Sequence, residues 1–302
     1  MSVEALSTQS DAQADSQVDS QAGDFFALLK PRVMSLVIFT GLAGMMIAPG
    51  VESVHPLILF MAMLCLSLGS GAAGAINMWY DRDIDAVMTR TKSRPIPAGR
   101  VDPTDALTFA LALSVFSVAM MALAVNWKAA GLLAFAIFFY SVIYTMWLKR
   151  LTPENIVIGG AAGAFPPMIG WAAVTGDVSW VAISLFAIIF FWTPPHFWAL
   201  SLYANDDYKR ANIPMMAVVK GIPATKLRMV IYSVILFAVS LLPYALGAVN
   251  EVYLAAALIL GALFVASSVQ VYRHDAMTHA RRMFAYSVFY LFALFLALMV
   301  SV

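Results

Sequence analysis

The sequence predicts an all-α, polytopic membrane bundle of nine transmembrane helices around a central cavity, and three observations lead there. Hydrophobic residues occupy 62% of the 302 positions and charged residues only 12%, with a mean hydropathy of +0.84; soluble domains run at about half apolar and a quarter charged. The apolar residues fall into nine runs, each near the roughly 20 residues needed to cross a hydrocarbon core about 30 Å thick as a helix. All but Lys128 of the 18 Lys and Arg residues then lie on one side of the zigzag. Under the positive-inside rule that side is the cytoplasm, which puts the N-terminus inside and the C-terminus outside.

Residues 1–24 are polar, rich in Gln, Ser, Ala and Asp, and free of Lys and Arg. They bury too little apolar surface to fold and read as a disordered cytoplasmic tail. A secretory signal or transit peptide would be basic, so a bacterial inner membrane is expected. Residues 25–302 form the nine-helix domain, with spans at 31–49, 57–80, 105–125, 129–147, 156–174, 179–203, 228–248, 252–271 and 283–301. The fifth and sixth spans contain Pro166–Pro167 and Pro194–Pro195 and are expected to kink or break, because proline removes a helix donor. Cys65, the single cysteine, lies in the second span; it excludes an internal disulfide or a Cys-rich metal site and reads as a packing residue.

The connections are unequal. Outer loops are short, whereas 81–104 and 204–227 run to about two dozen residues, a length that usually signals function. The first follows Asn77-Met-Trp-Tyr-Asp81-Arg-Asp-Ile-Asp85. If the second helix continues through this run, Asn77, Asp81 and Asp85 form one stripe within roughly 80° of arc. Three stacked oxygen-bearing side chains repel one another unless a cation sits among them, and hard oxygen ligands suit Mg²⁺. Asp83 points elsewhere and is expected to be solvated or paired with arginine. An ordinary charged helix end would account for any one of these aspartates; it does not account for the stripe followed by Arg90, Lys92 and Arg94, which calls for a metal and a polyanion together.

The second loop supplies Asn205, Asp206, Asp207, Tyr208, Lys209 and Arg210, and a third contribution is Tyr144, Lys149, Arg150 and Asn155. A diphosphate bridged by two Mg²⁺ ions would fit between two acidic clusters, with Lys and Arg on the remaining oxygens. Lys149–Arg150 alone would equally serve as a topological anchor. His196, within Trp192-Thr-Pro-Pro-His-Phe-Trp198, is an ionisable residue at membrane depth and so a functional candidate. The plainer possibility is a neutral imidazole bonded to a carbonyl freed by the prolines. His274 and His279 read as solvent-exposed loop residues.

These motifs resemble the intramembrane aromatic prenyltransferase superfamily. The strings Tyr144-Thr-Met-Trp-Leu-Lys-Arg-Leu-Thr-Pro-Glu-Asn155, Pro166-Pro-Met-Ile-Gly-Trp171, Trp192-Thr-Pro-Pro-His196-Phe-Trp and Asp207-Tyr-Lys-Arg-Ala-Asn-Ile-Pro214 are similar to its haem-farnesylating branch. The likeness extends from about residue 26 to the C-terminus. It implies transfer of a farnesyl group from farnesyl diphosphate to a vinyl of haem B, with water added to give haem O. Mg²⁺ would be held by Asn77, Asp81 and Asp85, with a second ion at Asp207 supported by Asp206. Arg94, Lys149, Arg150, Lys209 and Arg210 would bind diphosphate, and Tyr144, His196 and Trp198 would face the organic substrates. The superfamily's second motif usually has two aspartates four apart, whereas Asp206 and Asp207 are adjacent, which leaves the ligands of the second ion open. A haem A synthase or terminal oxidase is the expected recipient of the product, and no nucleic-acid partner is expected. Alternatives are another aromatic acceptor, such as hydroxybenzoate or a quinone precursor, a haem or anion transporter, and a haem-binding oxidase assembly factor. A transporter commonly has internal repeats, and no second copy of the Asn77 stripe is seen.

Overall fold

The computed structural model describes residues 22–302; all but the last three residues of the expected polar tail lie outside them. Those three open a short helix, α1 (Ala22–Leu28), followed after a 54° bend by α2 (Pro31–Met46). Lys30 at the bend has φ +54° and ψ +57°, a left-handed conformation uncommon for a residue with a Cβ, and Pro31 then opens α2. The other spans are α3 (Pro56–Tyr80), α5 (Pro103–Ala124), α6 (Trp127–Leu151), α7 (Asn155–Thr175), α8 (Trp180–Tyr203), α11 (Ile222–Ala245), α12 (Glu251–Arg273) and α13 (Met277–Met299). Short helices α4 (Arg82–Val87), α9 (Asn205–Arg210) and α10 (Met216–Val219) occupy the two long loops. Eight helices are long and apolar enough to cross a membrane, and the bent α1–α2 pair makes nine among the described residues. No strand occurs there.

The helices α7 and α8 form the inner pair. The run α2, α3, α5 and α6 packs in sequence along α7, the run α11, α12 and α13 packs in sequence along α8, and α13 returns to touch α2. Of the kink or break expected from sequence, a break does not occur at either proline pair: α7 and α8 run without interruption through Pro166–Pro167 and Pro194–Pro195. The surrounding helices hold the segments in place, and at α7 the contact is very close. A Cβ at Gly44 would overlap the backbone of Pro167, and one at Gly170 would overlap the Gly41 carbonyl, so α2 and α7 meet backbone to backbone through small residues. The prolines leave the carbonyls of Ala162 and Gly163 without intrahelical donors, and both residues line the cavity described below.

The real distortion lies in the second half of α6, within a stretch that contains no proline or glycine. Residues Phe139–Leu148 are π-helical, and the Thr145 hydroxyl bonds back five residues to the Tyr140 carbonyl at 2.8 Å. Wider turns of this kind often occur where a helix must present side chains to a site.

Ion pairs gather the long loops at one end of the bundle. Asp24–Arg100, Asp83–Arg150, Glu154–Arg228 and Lys226–Asp275 join separate elements there, while Lys128–Asp177 lies among the short loops. The charge segregation expected from sequence is thus a segregation in space. Cys65 is buried in the apolar core.

Candidate active site

A cavity of about 950 Å³ opens inside the charged end of the bundle, at the upper end of the range for small-molecule sites. Its polar lining includes Lys30, Asn77, Asp85, Arg94, Lys149 and Asn155. Its apolar lining comes from α2, α6, α7, α8 and α13 and includes Phe39, Tyr140, Trp192, Phe284 and Phe292. Val33 on α2 and Phe289 on α13 both line it and are more than half exposed, so the cavity opens sideways between those two helices.

The helix α3 ends at Tyr80, but the main-chain bonds Asp81 N–H to Asn77 and Asp85 N–H to Asp81 carry the helical register on into α4, at 2.9 and 2.8 Å. The spacing therefore does what a 3.6-residue period requires: Asn77, Asp81 and Asp85 are all buried, at 4%, 0% and 2% exposure. Buried carboxylates demand positive partners, and each position has one. Lys30 Nζ donates to Asn77 Oδ1 at 2.5 Å, Lys149 Nζ donates to Asp81 Oδ2, and Arg94 donates to Asp85 Oδ2 at 2.6 Å. The Asn77 amide is oriented by the same network, its Nδ2 donating to Asp81 at 2.7 Å and to Thr145 Oγ1 at 3.1 Å.

Lys149 and Arg150, adjacent in sequence, go to different work. Lys149 turns into the cavity. Arg150 grips Asp83 through two nitrogens, at 2.9 and 2.8 Å, and lies over the Tyr80 ring, so it closes α4 against α6 outside the cavity lining. Asp83 is the arginine-paired residue expected from sequence, and the Arg150 hydrogen bond holds its carboxyl below the usual aspartate range.

The second acidic cluster is set apart. Asp207 accepts from Thr89 at 3.1 Å and from Arg210, and lies with Asp206 in a shallower depression of about 380 Å³. Of the residues that line this depression, Arg90 also lines the main cavity. Asp206 is exposed and lies 3.8 Å from Lys209. The structure therefore does not bring Asp206, Asp207, Lys209 or Arg210 into the lining of the large cavity; Tyr208 is the residue of this run that lines it. Trp198 is displaced from its expected place as well. It is fully buried and packs edge-on against Tyr232 at 5.3 Å, because its position on α8 faces α11 rather than the cavity.

Tyr144 and His196 do line the cavity. Tyr144 stacks on Tyr140 at 5.5 Å, and its ring fills the space where Gly159 lacks a Cβ. His196 lies in an unbroken helix, and its Nδ1 meets the Ser287 hydroxyl at 2.6 Å rather than a carbonyl released by proline. Lys30, Thr145 and Ser287 were not singled out from sequence as site residues. Lys30 read as one more basic residue at a membrane edge, and its only sign was the lysine–proline break; Ser287 is one serine within an apolar run.

Among the described residues, no group of three or more His, Cys, Asp or Glu side chains is clustered tightly enough to hold an ion by itself. The oxygens nevertheless suit a hard cation shared with a substrate phosphate. Among the described residues Asp81 Oδ1 and Asn155 Oδ1 are enclosed and have no hydrogen-bond partner, a cost of about 1–3 kcal/mol each when left so, although the Arg150 guanidinium lies 3.8 Å from Asp81 Oδ1.

The chain belongs to the UbiA prenyltransferase family, whose model matches residues 37–298. It is similar to the protoheme IX farnesyltransferase of Rhodopseudomonas palustris strain BisB5, with 55% identity over 298 residues covering 97% of this chain and 95% of that one. Its identity to the protoheme IX farnesyltransferase of Granulibacter bethesdensis is 57% over 291 residues, covering 93% and 91%. Among solved structures, a digeranylgeranylglyceryl phosphate synthase superposes with a TM-score of 0.78 at 18% identity, over 93% of this chain and 98% of that one. A UbiA homolog from Archaeoglobus fulgidus bound to GPP and Mg²⁺ gives 0.63 at 17% identity, over 90% and 99%. These two likenesses bear on the fold.

Proposed function

We infer that this chain transfers the farnesyl group of farnesyl diphosphate to a vinyl group of haem B, with addition of water, releasing diphosphate and haem O. The observation that carries the reading is one cavity with two chemistries: Asn77 and Asp85 in its lining beside Lys30, Lys149 and Arg94, with Asp81 fully buried outside the lining and bonded to Asn77 and Lys149, and aromatic walls containing His196. The protoheme IX farnesyltransferases to which the chain is similar support this acceptor over hydroxybenzoate or a transported anion.

Asn77, Asp81 and Asp85 would hold Mg²⁺, which when bound supplies positive charge to the diphosphate oxygens. Lys30, Lys149 and Arg94 would exchange their carboxylate and amide partners for those oxygens. As the C1–O bond of the farnesyl diphosphate breaks, its electron pair leaves with diphosphate, and preorganised cations that stabilise this charge lower the barrier most. The allylic cation is sheltered by aromatic faces such as Tyr140 and Tyr144. The vinyl π electrons form the new C–C bond to C1, water adds to the resulting haem-side cation, and a proton is released. Asp207 would support a second ion from the neighbouring depression, with Asp206 beside it. The sideways opening between α2 and α13 suits a farnesyl chain drawn from the bilayer. We place the protein in a bacterial inner membrane, with the charged end cytoplasmic and a haem A synthase or terminal oxidase as recipient of the product.

The test is mass spectrometry of haem after incubation of the purified protein with farnesyl diphosphate, haem B and Mg²⁺. Haem carrying a hydroxyethylfarnesyl group is expected from the unsubstituted protein. Asp81→Asn and Asp85→Asn, still inserted in the membrane, should each lose at least about 100-fold of this activity. Full activity in both variants would sink the metal assignment, and prenylation of hydroxybenzoate in place of haem would sink the acceptor.

A further inference from the structure

Trp192 and His196 lie one turn apart on α8, and both are fastened to a single residue of α13. Trp192 Nε1 donates to the Ser287 carbonyl at 2.8 Å, and His196 Nδ1 meets the Ser287 hydroxyl at 2.6 Å. That hydroxyl has one proton, and its oxygen also lies 2.6 Å from the Phe284 carbonyl oxygen. A carbonyl oxygen only accepts; two oxygens this close with no proton between them would repel. The serine proton therefore lies on the bond to Phe284, and the proton in the imidazole contact must be carried by His196 Nδ1. In a neutral ring, Nε2 is then the bare lone pair.

Nε2 makes no hydrogen bond among the described residues and is not sealed within protein, so it is open to the cavity that His196 lines. The ring cannot easily turn. Trp192 and Phe284 stack on it nearly parallel, with centroids 4.3 and 4.6 Å away.

We propose that Ser287 is a positioning residue for the acceptor: by accepting Nδ1–H it selects the tautomer in which His196 Nε2 ligates the haem iron. The hydrogen bond at the far nitrogen fixes the ring's orientation and raises its basicity as a ligand. The macrocycle is thereby held by its iron, against the wall formed by Trp192 and Phe284, while the vinyl carbon is left free to react. The inference rests on haem B being the acceptor.

Resonance Raman spectroscopy of the purified full chain loaded with ferrous haem B tests it, through the iron–histidine stretching band. The unsubstituted protein should show the band, and His196→Gln should lose it. Ser287→Ala should keep a band at lower frequency and retain haem on the order of tenfold less tightly. Ser287→Thr, which keeps the hydroxyl, should restore both. An unshifted band and unchanged affinity in Ser287→Ala would overturn the role of Ser287 while leaving His196 as ligand. A band that survives in His196→Gln would overturn ligation and the Ser287 role together. Failure of the unsubstituted protein to retain haem B would overturn the acceptor itself, and is distinguishable because no variant would then show a band.

Discussion

Each residue of the acidic stripe is already held through one oxygen by a basic side chain from a different element: Lys30 from the α1–α2 bend, Lys149 from α6 and Arg94 from the loop after α4. Burial compels this, since an unpaired carboxylate in a low-dielectric site costs several kcal/mol. It also stores the cations that a diphosphate would need. Lys30→Met should therefore lower kcat/KM for farnesyl diphosphate by on the order of 100-fold with haem affinity little changed, as steady-state kinetics and haem titration would show. Asp83 behaves differently. Its carboxyl titrates below its ordinary value of 3.8 because Arg150 hydrogen-bonds to it; the pair stabilises the fold above that pH, and the contribution is lost as pH falls through the lowered value. Asp83 is 62% exposed, so solvent screening keeps the effect to about 0.5 kcal/mol. Melting curves in detergent should show Asp83→Asn slightly less stable at neutral pH, with the difference closing only in strong acid.

At the scale of elements, α2 and α7 are placed by what their glycines lack. Gly44 and Gly170 let the two backbones touch where the proline pair removes donors from α7, while Gly41 makes room for Leu66 of α3, and this approach holds α2 as one wall of the cavity. Gly170→Ala forces a methyl group into the Gly41 carbonyl. Overpacking of this kind should cost about 1–3 kcal/mol, read as a lower melting temperature in detergent. The π-helical stretch of α6 does the complementary job, turning Tyr140, Tyr144 and Thr145 toward Asn77 and the cavity.

Over the whole molecule, one end is crowded with ion pairs that tie loops together and the other carries little charge. If the charged end is cytoplasmic, a cysteine at Asp206 should react with a membrane-impermeant thiol reagent only after lysis. A cysteine at Asp177 should react in intact cells. Labelling is readable against the native background because Cys65 is buried in the core at 1% exposure, and the reverse pattern would invert the topology.

Hydropathy runs and the one-sided placement of Lys and Arg determined the helical membrane fold and its nine spans, because the bilayer constrains length and polarity residue by residue. The Asn77–Asp81–Asp85 spacing was readable for a similar reason, since helical period alone aligns residues four apart. The partners of those residues could not be read this way. That Lys30 reaches Asn77, that Lys149 and Arg150 diverge, that Asp206, Asp207 and Trp198 fall outside the cavity lining, and that Ser287 meets His196 depend on contacts between residues 47 to 118 positions apart or on which face of a packed helix turns inward. The unbroken helices through both proline pairs are likewise a matter of packing, because neighbouring helices supply the support that local propensity withholds. Those arrangements were decided only by the tertiary structure, since local chemistry sets what each residue can do and the packed bundle sets what it meets.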